Sequence, residues 1–160
     1  MSVRVQTADF DIGAELAALR SADPKVGAIA SFVGVARDSN DGRSVSTLTL
    51  EHYPGMTESA LQEIIARARS RWDILQALII HRIGTLAPLE QIVLVAVTSM
   101  HRNDAFDACR FIIDYLKTDA PFWKREQTPD GSRWVDPRAS DDAARAGWEA
   151  DTGPGGGPGG

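Results

Sequence analysis

The feature that most constrains this chain is the run from Gln91 to Met100, in which Ile92-Val93-Leu94-Val95-Ala96-Val97 contains no polar side chain. A strand with one solvated face alternates; one without alternation is buried on both faces, so this segment belongs in the middle of a sheet. With 160 residues and 43% apolar content, the chain suffices for one domain with a core and is too short for two comfortable ones. Residues 1–150 are expected to form that domain, with residues 151–160 as a tail.

Around the buried strand the periodicity is readable. Val3 and Val5 alternate with polar neighbours and Ile12, Leu16 and Leu19 follow at helical spacing, which predicts a short strand and a short helix. Two more strands are expected from Val26 to Val35 and from Ser44 to Tyr53, joined by the turn Asp38-Ser39-Asn40-Asp41-Gly42. After Pro54-Gly55, the residues Leu61, Ile64, Ile65, Ala68 and Trp72 mark one helix face, and Ala77 to Ile83 reads as a strand. Asn103 is the expected N-cap of a helix carrying Phe106, Cys109, Ile112, Ile113 and Leu116, which Pro121 stops soon after Lys117.

Beyond Pro121, Phe122, Lys124 and Glu126 share one side of a strand, with Trp123, Arg125 and Gln127 on the other. Pro129-Asp130-Gly131 turns it, residues 132–136 pair back, and Ala139 to Trp148 forms an acidic amphipathic helix. The Gly and Pro residues after Asp151 have no means of burying a core, so disorder is expected there.

Charge and composition exclude several functions. The net charge is −5, of which residues 136–151 account for −3, so the body is near balance and lacks the basic footprint of a nucleic-acid binder. Cys109 is the one cysteine and has no internal disulfide partner. No charged and apolar leader opens the chain, and no apolar run reaches the roughly 18 residues of a membrane span. A cytoplasmic location with no membrane contact is expected. His52, His81 and His101 stand too far apart for a local metal site, and neither a nucleophile elbow nor a phosphate loop is present.

What remains is a set of cations. Lys117 and Lys124 are seven residues apart, with Pro121 forcing a turn between them, so both are able to face one pocket from different elements. Crowded cations lower a lysine's pKa and free its amine for proton transfer or attack, while those that stay charged hold phosphate. A lysine in the last turn of a helix also interacts favourably with the helix dipole without any further role. His101-Arg102 stands at a strand-to-helix junction, where backbone N–H groups and an arginine fork can hold an anion, and Arg37 ends the strand carrying Phe32.

Five segments, in this order, resemble the large, catalytic subunit family of molybdopterin synthase: Phe32-Val33-Gly34 with Arg37, Leu50 through Met56, His81-Arg82-Ile83-Gly84, His101-Arg102, and Lys117 through Glu126. The resemblance implies an α/β hammerhead fold, an α+β domain with a mostly antiparallel sheet and packed helices. It implies a homodimer within a heterotetramer. The partner is a small ubiquitin-like subunit whose C-terminal Gly-Gly ends in a thiocarboxylate. The substrate it implies is cyclic pyranopterin monophosphate, converted to molybdopterin by two sulfur transfers without a cofactor or metal.

By the same resemblance Lys117 and Lys124 are catalytic. Both also bind substrate, together with Val35, Ala36, Arg37, His101, Arg102, Arg125 and Glu126; Phe32, Ile113 and Arg138 support the pocket. His101 and Arg102 are expected to enter from the other protomer. Val35 and Ala36 depart from the family by standing where related chains often place another basic residue, so contact there would run through backbone. The tail ending in Gly159-Gly160 has no counterpart in the family pattern; it resembles the small subunit's own ending. A non-catalytic binder of a phosphorylated ligand, or a dimer that scaffolds a ubiquitin-like partner, are the alternatives.

Overall fold

The apolar run becomes β8 (Gln91–Ser99), buried on both faces from Val93 onward. In the computed structural model, which describes residues 2–40, 42–135 and 139–150, β8 lies between β6 (Gln76–Arg82) and β2 (Ala28–Val35), antiparallel to both. The remaining strand of this sheet, β1 (Ser2–Gln6), runs parallel to β6 on the far edge.

Both faces of this sheet are covered, as the lack of alternation requires. On one lie α2 (Met56–Arg71) and α3 (Arg102–Asp119), whose Leu61, Ile65, Ala108 and Ile112 join Ile79, Val95 and Val97 in the larger core. On the other, Leu19 of α1 (Ile12–Ser21) and Phe10 pack on Leu78, Ile80, Leu94 and Ala96. At about 1.5–3 kcal/mol per buried large aliphatic side chain, these two clusters are the main stabilising term.

A second sheet, in the order β10-β9-β5-β7, holds β10 (Gly131–Val135), β9 (Phe122–Thr128), β5 (Thr47–His52) and β7 (Gly84–Leu86), all antiparallel. The expected neighbours β2 and β5 thus belong to different sheets and do not pair, and among the described residues between them the ladder is the two-residue one of β3 (Ser39–Asn40) with β4 (Arg43–Ser44). The architecture is α+β, with two mostly antiparallel sheets and helices packed on one of them.

Three local results differ from the sequence expectation or extend it. The helix expected at Asn103 begins two residues earlier, with His101 at the N-cap, because the chain leaves β8 and enters the helix with only Met100 and His101 between them. Its end at Asp119 agrees with Pro121, which has no N–H to give and restricts the residue before it. The C-terminal helix α4 (Ala139–Ala150) packs across α3, burying Trp148 between Trp72 and Phe111. Asp41, Arg138 and the tail of residues 151–160 lie outside the described residues. No helix among the described residues is long and apolar enough to cross a membrane.

Candidate active site

Directly opposed residues of a sheet share a face, and one such row runs Val5, His81, Val93, Gly34 across β1, β6, β8 and β2. This row lies near the end of the sheet where β2 finishes. Gly34 is required there, since a Cβ would meet Val93 Cγ1 at 2.8 Å and the Phe32 ring at 3.5 Å. Phe32, two residues earlier on the same face, is left partly exposed.

Helix α3 delivers Lys117 to this same end. It starts where β8 stops and runs back over β8 and β2; Cys109 lies over Val95, its thiol 3.9 Å from the Val95 carbonyl. Eight residues further, about 12 Å along the axis, the helix has passed the His81 row, which lies about 7 Å beyond Val95, with half-buried Ile113 on the way and exposed Lys117 in the last turn. Pro121 and Phe122 then reverse the chain through a tight turn in which the Phe122 N–H donates to the Ala120 carbonyl at 2.8 Å. The buried Thr57 at the start of α2 holds that turn, its hydroxyl 3.2 Å from the Pro121 carbonyl.

Strand β9 leaves the turn with Phe122, Lys124 and Glu126 on one face, as the alternation predicts. Phe122 stacks flat on His81, ring centroids 3.7 Å apart and planes 16° apart. The His81 Nδ1 and the Arg82 carbonyl are 2.8 Å apart, which makes Nδ1 the protonated nitrogen of a neutral ring. Burial pushes the His81 pKa from 6.5 to about 3; the Arg82 carbonyl opposes the shift, and the charges of Lys124 and Lys117 and the neighbouring His52 reinforce it. Both lysines therefore act on one ring from two elements. Among the described residues neither Lys117 nor Arg37, two residues past the end of β2, has a carboxylate partner. Two cations of this kind, Lys117 and Arg37, suit an anionic ligand.

The other expected site residues divide. His101 and Arg102, both exposed, sit at the start of α3, beyond Ser99, which pairs with Ala28 at the opposite end of β2. Sixteen residues of helix, about 24 Å, separate His101 from Lys117, so one chain does not bring them together. Arg125 points to the outer face of β9, its guanidinium 5.9 Å over the Trp134 ring. Glu126 is buried, accepting from Asn40 Nδ2 at 2.7 Å and from Arg133 at 3.0 and 3.2 Å. Val35 is exposed, whereas Ala36 is buried with its N–H on the Glu90 carbonyl and its own carbonyl taking the Leu89 N–H. Arg138 is not among the described residues.

Residues 5–119 match the protein family described as MoaE protein. The molybdopterin synthase catalytic subunit of Ralstonia nicotianae is 61% identical over 147 residues, 92% of this chain and 84% of that protein. The chain belongs to the MoaE family. It is a molybdopterin synthase catalytic subunit by this membership and acts in molybdenum cofactor biosynthesis. The solved MoaE protein of Burkholderia ambifaria matches with a TM-score of 0.80 at 57% identity, covering 92% of this chain and 97% of that one. The fold also recurs, at a TM-score of 0.70 and 17% identity, in a Helicobacter pylori complex of subunits 1 and 2 of molybdopterin-converting factor, covering 85% and 91% of the two chains.

Within the MoaE frame, His81 is the residue whose place the sequence did not reveal. A histidine closing an apolar strand reads as ordinary core. Its stacking partner lies 41 residues away in sequence, in a strand of the other sheet.

Proposed function

We propose that the chain converts cyclic pyranopterin monophosphate to molybdopterin, taking two sulfurs in turn from the thiocarboxylated C-terminal Gly-Gly of a small ubiquitin-like subunit. The observation that carries this reading is the convergence of Lys117 from α3 and Lys124 from β9 on the His81–Phe122 stack. Two lysines from different elements, both acting by charge on the buried His81 ring, with no carboxylate partner for Lys117 among the described residues, supply attraction for phosphate and amines for the transfer. Lys117, exposed at the helix end, acts on the transfer step as acid, base or transient nucleophile with Lys124 as the second catalytic lysine, and Arg37 holds the substrate's negative charge. In this reading the partly exposed Phe32 and half-buried Ile113 support the pocket.

Sulfur has to come from outside the chain. Cys109 is buried, and desolvation pushes its thiol up to about 12, so thiolate to carry a persulfide is scarce. The Helicobacter pylori complex of two subunits supports a partner protein in that part. His101 and Arg102, too distant to join Lys117 in their own chain, enter the site of a second copy, which makes the active form a homodimer inside a heterotetramer. Glu126 acts through β9, its side chain engaged by Asn40 and Arg133, while Arg125 stands on the outer face over Trp134.

The test is reconstitution of the full chain with thiocarboxylated small subunit and cyclic pyranopterin monophosphate, followed by assay for the dithiolene product. Product with the wild type and none with Lys117→Ala is expected. Lys117→Arg separates chemistry from binding, since a guanidinium holds phosphate but does not give up its proton. Absence of product with a demonstrably active partner would leave a scaffold.

A further inference from the structure

We infer that His81 is a positioning residue of this site: stacked on Phe122 and fixed in one tautomer by the Arg82 carbonyl, it sets where β9 departs and so where Lys124 stands relative to the end of α3. The inference rests on the sulfur-transfer reading of the site.

Three features separate His81 from a core filler. The first is its anchorage. Arg82, whose carbonyl faces Nδ1, is itself buried, and its guanidinium is tied to the Thr7 and Gln91 carbonyls at 3.2 and 3.0 Å and to Asp9 and Glu90 by charge. The imidazole is thus referenced to the ends of β1, β6 and β8 together. The second is its location at the seam between the two sheets, where the ring meets the first residue of β9, two positions before Lys124. Moving the ring moves that strand.

The third is chemical. With Nδ1 protonated, Nε2 keeps a lone pair and the ring stays uncharged. The ionisable groups around it are Lys117 on α3, Lys124 on β9, and His52 on β5, the last 3.6 Å from Glu58 of α2. Its neighbours on β1 and β8, Val5 and Val93, are apolar. A phenyl ring in this place has no group for the Arg82 carbonyl to fix, so its position against Phe122 is not held, and it adds no polarity beside the two lysines. An imidazole gives a polar neighbour that does not add a third positive charge, which supports the ammonium form of one lysine without repelling it. The depressed basicity of the ring agrees with that assignment.

The deciding experiment is His81→Phe in the full chain, assayed with thiocarboxylated small subunit. A lowered kcat is expected, on the order of ten- to a hundred-fold for a small displacement of an amine, with KM close to wild type. The limb of the kcat profile governed by a lysine amine is expected to move to lower pH, because an apolar ring disfavours the ammonium. A kcat and pH profile equal to wild type would overturn the inference. Phe122→Leu, which removes the stack from a half-buried position, serves if His81→Phe does not fold: it should lower kcat at constant KM, and unchanged kcat would likewise overturn the inference. An inactive wild type is a separate outcome, which counts against the sulfur-transfer reading itself.

Discussion

Arg145 Nε lies 2.8 Å from Asp119 Oδ1, so α4 grips the residue that ends the helix carrying Lys117. The Nε–H is not aligned with the carboxylate, and the pair acts by charge more than by a directed hydrogen bond. Asp119 is held from a second side by Arg67 of α2 at 3.6 Å. Further along α4, Trp148 donates from Nε1 to Asp114 at 2.6 Å and meets Trp72 and Phe111 edge-on. Apolar burial seats the helix, while the ion pair tunes the end of α3.

Two substitutions separate those roles. Trp148→Ala is expected to cost about 3–5 kcal/mol, the range for losing a large buried aromatic. Arg145→Ala, at a part-exposed ion pair, is expected to cost about 1 kcal/mol or less. Chemical denaturation of the two variants checks both, and a larger cost for Arg145→Ala would show that the ion pair, not the indole, seats α4.

Stability is expected to fall as pH drops from 6.5 toward 3 because of His81. The unfolded chain takes up a proton near 6.5 that the folded ring refuses until about 3, so the contribution is whole above 6.5 and is lost going down through that window. The slope from this one group is about 1.4 kcal/mol per pH unit. Asp9, whose carboxyl is held below its ordinary range by Gln91 and the Phe10 N–H, adds a loss at still lower pH. Asp107, raised by desolvation, acts in the opposite sense. Urea denaturation of wild type and His81→Phe at several pH values isolates the term: the difference between them should shrink as pH falls.

The elements of this fold were legible where burial imposes a period. The unbroken run Ile92–Val97 announced β8, and steps of three and four from Leu61 to Ala68 announced α2. Partnership was not legible. Val26–Val35 and Ser44–Tyr53 looked like neighbours, yet alternation names the buried face of a strand and not the strand beside it, and they belong to different sheets. Three-residue β7 is too short to show a period. The site was legible in part for a similar reason. Pro121 showed that two lysines leave different elements, but their meeting at His81 depends on a contact between residues far apart in sequence.

Glu126→Gln tests whether that carboxylate holds the fold or a ligand. It is buried and bound by Asn40 and Arg133, and removing its charge leaves Arg133 without a counterion, at an expected cost of about 3 kcal/mol. Thermal denaturation should show the loss with KM for the pterin nearly constant. A raised KM at unchanged stability would assign the side chain to the ligand instead.

Cys109 should resist alkylation in the native protein. Its thiol is buried against β8 and is pushed up to about 12 by desolvation, so the thiolate is scarce at neutral pH. Iodoacetamide labelling followed by intact mass is expected to show no adduct until denaturant is added, and sulfur-transfer activity should survive the treatment. Rapid labelling with loss of activity would mean that a thiol of this chain takes part.

The placement of His101 and Arg102 at the start of α3 and Lys117 at its end makes a sharper demand on the assembly. If each pocket draws Lys117 from one protomer and Arg102 from the other, Lys117→Ala and Arg102→Ala chains are each inactive alone but complement one another when mixed. A dimer with one chain of each kind has one pocket with both residues intact and one with neither. Random exchange of equal amounts makes half the dimers mixed, so recovery of about a quarter of wild-type turnover is expected for a symmetric two-site dimer. Co-expression with two different purification tags measures this directly on the mixed dimer. No recovery in purified mixed dimers would place Arg102 outside the pocket, leaving Arg37 and the two lysines to hold the phosphate alone.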